Sequence, residues 1–226
     1  MVTATLAVGS APVNWQRIGM SVDGRPLRLR RLGRGRNKVL WIGGIHGDEP
    51  EGTLATAALP AVFEASGLGD ATTLLVLEDA NPDGRAAHTR TNAHGVDLNR
   101  NFPAANFDPA NPTYGGVPMS QPESRAVHDL IVAEHPQLVI ACHAWRGAAF
   151  VNFDGPASAI AARFSHLSGL PLKSSRSLGE STPGSLGSWV GTDLGIPVLT
   201  IEWARGSDPA TDWDRTRPAI VAVLQG

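Results

Sequence analysis

A single cysteine, Cys142, stands in the 226 residues, so the chain cannot close a disulfide on itself. That scarcity fits a reducing compartment. No apolar run approaches the ~18–20 residues that a membrane span needs. Neither sign of charge dominates: the net value is −2, which gives no global attraction to nucleic acid or an anionic membrane. The first residues, MVTATLAVGSAP, lack a basic segment followed by a long apolar core, so no signal peptide is expected. These absences predict a soluble, cytoplasmic protein with neither nucleic acid nor membrane as partner. What is present suffices for a core, since 42% of residues are hydrophobic, and the length predicts one domain over residues 1–226.

Four short apolar runs read as buried strands: Val39–Ile45, Thr73–Leu77, Leu138–Cys142 and Pro197–Ile201. Helical patterns alternate with them. One covers Gly52–Ala65 and is interrupted by Pro60. Another starts near Ser120, where Ser120 and Glu123 have capping-box spacing. A third spans Ala157–Leu167, with Ile160, Phe164 and Leu167 on one face, and the last runs from about Ala210 to Leu224. This alternation predicts an α/β fold: a mixed, mostly parallel central sheet with helices on both faces. The arginine-rich stretch Arg25–Lys38 reads as a half-exposed strand, with Leu27 and Leu29 alternating with arginines. Residues 81–116 have no period and are rich in Asn, Pro, Gly and Asp, which predicts a long binding loop.

Chemistry gathers where strands end. His46 follows VLWIGGI, His143 follows LVIAC and Glu202 follows PVLTI. In open α/β sheets, ligands bind beyond the carboxyl ends of the strands, so three distant residues are expected on one rim. Glu49, three residues after His46, falls on the same side of a helical turn. Two imidazoles and one carboxylate make the donor set of a catalytic zinc ion with one position left for water. The expectation is one Zn2+ per chain on His46, Glu49 and His143, with Glu202 as general base. The other five histidines are not expected as ligands. Cys142 points away from its neighbour His143 on a strand and reads as core. Ser185, in TPGSLGS, lacks the G-x-S-x-G elbow of serine hydrolases.

The ordered stretches GGIHGDEPEG, NPDG, RTNAHGVDLNRNFPAANF, SQPESRAV, LVIACH, VNFDGPA, TPGSLGSW and PVLTIEW resemble the M14 zinc carboxypeptidase family, and within it the murein peptide amidase branch. They span about Val39 to Trp203. The resemblance implies that His46, Glu49 and His143 are zinc ligands and that Glu202 is the base. It further implies that Arg90 stabilises the oxyanion and that Asn99 and Arg100 grip a substrate carboxylate. Such roles suit a guanidinium, which binds a carboxylate through two parallel bonds. Two positions depart from the digestive members of the family. Asp48 stands where they carry arginine, and Glu180 stands where they carry a flap tyrosine; the single tyrosine here is Tyr114. Glu180 is therefore expected to bind a substrate ammonium while Arg100 takes the carboxylate. The implied substrate is a small peptide, the murein tripeptide, cut at its γ-D-glutamyl–meso-diaminopimelate amide. Competing readings are a broader carboxypeptidase, an aspartoacylase-like deacylase of N-acyl amino acids, and a metal-bound binding module without turnover.

Overall fold

The computed structural model describes residues 15–174 and 182–226. The sheet has eight strands: β1 (Gln16–Met20), β2 (Pro26–Leu32), β3 (Asn37–Ile42), β4 (Thr72–Leu77), β5 (Leu138–Trp145), β6 (Phe150–Asp154), β7 (Leu172–Ser174) and β8 (Val198–Ala204). Their spatial order is β1-β2-β4-β3-β5-β8-β6-β7. The central run β4-β3-β5-β8 is parallel, whereas β1-β2, β2-β4 and β8-β6 are antiparallel. The expected mixed, mostly parallel sheet is what forms.

Side chains on successive strand residues face opposite ways, and two cores result. Val39 and Trp41 join Ile140, Leu199 and Ile201 on one face, beneath α1 (Thr53–Ala65), α4 (Ser158–Ser168) and α5 (Pro209–Leu224). Leu40, Ile42, Val139 and Val198 face the other way, against Val127 and Ile131 of α3 (Pro122–Glu134) and against Trp189. Cys142 lies in the first core, as its strand parity requires. Helices therefore cover both faces. No helix among the described residues is long and apolar enough to cross a membrane.

Several boundaries differ from the sequence reading. β3 stops at Ile42, and Gly43 and Gly44 turn the chain before His46; Gly44 has a positive φ of 67°. β5 and β8 run on through His143 and Glu202, so these two lie within strands. α1 continues through Pro60. The Ser120–Glu123 capping box does not form. The helix starts at Pro122, and Glu123 is buried, where it accepts hydrogen bonds from Val22 N (3.0 Å) and Asn92 Nδ2 (3.1 Å). Leu167 is exposed, and the buried face of α4 is Ala161, Phe164 and Ser168. The loop 81–116 contains a short helix, α2 (Pro82–Ala87), and 3-10 turns at Leu98–Arg100 and Pro112–Tyr114. The basic stretch forms β2, with Leu27 and Leu29 buried, and the turn into β3, and its cations pair with acids: Arg30 with Glu64, Arg34 with Asp70, and Arg31 and Lys38 with Glu134.

Candidate metal centre

Strand register builds one wall of the site. His143 on β5 is paired directly with Glu202 on β8, and Glu202 in turn with Phe150 on β6. The period of two then sets Ala141, Thr200 and Asn152 on the same face, and all six line one cleft. The second wall is the loop after β3. His46 O accepts a hydrogen bond from Glu49 N (3.3 Å), and the resulting turn brings the two side chains together. This loop crosses the start of α2 at backbone contact: a Cβ on Gly47 would lie 1.9 Å from Gly84 C. Only glycine fits at Gly47, and Gly84 of NPDG is needed for a separate reason, since a Cβ there would lie 2.4 Å from Asn81 Nδ2 and 2.5 Å from Thr91 O. Asn81, fully buried, fastens the crossing. Its side-chain amide donates to Ile45 O and Arg90 O (both 3.3 Å) and its Oδ1 accepts from Gly84 N (2.9 Å).

At the meeting of the walls, His46 Nδ1 and His143 Nδ1 lie 3.1 Å apart. Glu49 Oε1 is 3.0 Å from the first and Oε2 is 3.0 Å from the second. All three ligating atoms fall within 4.8 Å of one another, and all three residues are buried. Two imidazole nitrogens aimed at each other beside a carboxylate are an arrangement that one cation satisfies. Asp97 Oδ1, 3.2 Å from His46 Nε2, sets the ring so that Nδ1 presents its lone pair inward. Burial works against charge on His46, yet Asp97 and Glu49 outweigh it and raise its pKa above the ordinary 6.5. Burial likewise opposes ionisation of Glu49, but its contacts with His143 and His46 hold the carboxyl far below the usual range. The field of the site thus favours positive charge between these groups, and the donor set suits a metal ion.

Glu202 is half-buried, and its carboxyl is pushed above the ordinary 4.5, chiefly by burial. Arg90 Nε donates to Asp97 Oδ2 (2.9 Å) and its Nη1 to Glu49 Oε1 (3.4 Å), which places the guanidinium at the mouth of the cleft. Asn99 and Arg100 line the same cleft. Asn99 Oδ1 accepts from Leu186 N (2.9 Å), and Arg100 Nη1 donates to Asn99 O (2.8 Å) beneath the Tyr114 ring. Seven of the eight expected site residues therefore share one region. The eighth, Glu180, lies outside the described residues. Three contributors escaped the sequence reading: Asp97, Asn81 and Arg205, whose guanidinium bridges Asp48 Oδ2 (2.9 Å) and Glu49 Oε1 (3.2 Å). Asp97 had a local signal, because an aspartate two residues before Asn99 caps the turn by accepting its N–H (2.9 Å).

The model for the zinc carboxypeptidases matches residues 10–213. Murein peptide amidase A of Escherichia coli K12 is 32% identical over 221 residues, covering 90% of this chain and 87% of that protein. The protein of the same name from Vibrio campbellii is 30% identical over 224 residues, covering 92% and 86%. The crystal structure of the murein-tripeptide amidase of Escherichia coli O157 superimposes with a TM-score of 0.77 at 28% identity, over 96% of this chain and 94% of that one. Fold, site geometry and sequence agree: the chain belongs to the M14 zinc carboxypeptidase family and is a hydrolase.

Proposed function

We propose that this hydrolase is a zinc-dependent amidase that cuts the γ-D-glutamyl–meso-diaminopimelate amide of murein peptides. The observation that carries the reading is the convergence of His46 Nδ1, His143 Nδ1 and the Glu49 carboxylate on one point beside Glu202. Its substrate class rests on the likeness to the murein peptide amidases along nearly the whole of both chains.

His46, Glu49 and His143 hold the metal in this reading. Bound there, zinc would supply a Lewis acid for a substrate carbonyl and would lower the pKa of water at the site to about 7. Glu202, facing the same space, takes the proton of the attacking water and passes it to the departing amine. Arg90 offers N–H groups to the negative charge that grows on the carbonyl oxygen. Asn99 and Arg100 orient the substrate through its carboxylate. Glu180 is assigned to the substrate ammonium on the resemblance alone.

A hydrolysis panel tests the substrate. The zinc-loaded protein is expected to release diaminopimelate from L-Ala-γ-D-Glu-meso-diaminopimelate with a kcat/KM well above that for an α-linked dipeptide or N-acetyl-aspartate. Faster cleavage of the dipeptide would move the reading to a general carboxypeptidase, and cleavage of N-acetyl-aspartate alone would move it to a deacylase.

A further inference from the structure

Asp48 sits between two of the ligand positions yet turns away from them, towards Arg205. Arg205 follows the end of β8, three residues after Glu202, and holds three parts of the site at once. Its backbone N–H donates to Trp145 O (2.8 Å), two residues past His143. One prong of its guanidinium donates to Asp48 Oδ2 (2.9 Å) and the other to Glu49 Oε1 (3.2 Å). The next residue repeats the link, with Gly206 N donating to Glu51 Oε1 (2.8 Å). Asp48 Oδ1 is buried and without a hydrogen bond, so the pair through Oδ2 anchors that carboxylate. Glu49 is then gripped on both oxygens: Arg90 and Arg205 reach Oε1, while Ala144 N reaches Oε2 (3.0 Å). Arg205 is not among the side chains that line the cleft.

The geometry points to Arg205 as a positioning residue for the metal, with Asp48 as its anchor. The Asp48–Arg205 pair locks the loop carrying His46 and Glu49 to the strand ends carrying His143 and Glu202. It thereby fixes the orientation in which the Glu49 carboxylate meets the ion. The inference rests on the zinc reading above. It also has a sign of its own: a cation beside a metal site repels the metal, so charge alone predicts tighter binding once Arg205 is removed. Positioning predicts the reverse.

The test is zinc affinity by chelator competition, with thermal unfolding of the metal-free proteins as a parallel readout. Arg205→Ala is expected to weaken zinc by about 10–100-fold, the usual cost of losing an outer partner of a ligand. Arg205→Lys, which keeps the charge but not the two-pronged grip, is expected to recover part of that loss. Asp48→Asn is expected to cost less than Arg205→Ala, and to add nothing in the double variant, because the two act as one unit. Should Arg205→Ala and Arg205→Lys both bind zinc as the native protein does, or more tightly, the inference is overturned, even if their metal-free forms melt earlier. His143→Ala is the control: native zinc affinity there overturns the metal reading itself, whereas lost zinc there beside native affinity in both Arg205 variants overturns this inference alone.

Discussion

Glu202→Gln is expected to bind its zinc normally and to lose about 10²–10⁴-fold in kcat, the range for removing a positioned general base and equal to roughly 3–5 kcal/mol of barrier. The substitution keeps the size of the side chain and its place opposite His143 and Phe150 while removing the basic oxygen. The pH profile sharpens the expectation. Burial raises the Glu202 carboxyl above 4.5, and the Glu49 charge adds to the rise while His143 opposes it. A base works only when ionised, so kcat/KM climbs with pH through this pKa. A bound cation favours the carboxylate, so the acid limb of the loaded enzyme is expected below the Glu202 titration in metal-free protein. In Glu202→Gln the limb disappears. A variant that stays within about tenfold of native activity, or that keeps the limb, would place the base elsewhere.

The second large effect is expected from His143→Ala. His143 is buried, and its Nδ1 meets both His46 and Glu49. Truncation removes one of three protein donors and leaves a hole that water fills. Zinc affinity is expected to fall by more than the ~100-fold that loss of an outer partner costs, and activity is expected to vanish with it. The fold should survive, because β5 keeps its ladder with β3 and β8. Full activity in a zinc-free His143→Ala protein would refute the metal account. Activity restored by a large excess of zinc would support it, since the remaining pair still offers two donors.

Much of this arrangement was legible in the residues. Val39–Ile42, Leu138–Cys142 and the run into Ile201 announce buried strands because strands covered on both faces lose polar alternation. The candidate site groups stood out because His46, His143 and Glu202 each follow such a run, and a carboxylate that ends one is costly there without a partner. Other features carried no local signal. β1, β6 and β7 are short, and β6 is held by antiparallel pairing with β8, a long-range contact. Glu123 mimicked a helix cap, yet tertiary burial recruited it to Val22 and Asn92. Arg205 looked like an ordinary surface charge, since only the fold brings it to Glu49, 156 residues away in sequence, and the cap signal at Asp97 gave no hint of its contact with His46, 51 residues away.

The most direct test is the anomalous diffraction signal at the zinc edge from a crystal of the metal-loaded protein. One strong peak per chain is expected about 2.0–2.2 Å from His46 Nδ1, His143 Nδ1 and a Glu49 oxygen. A loaded, active crystal with its peak away from those three atoms, or with no peak, would contradict the account.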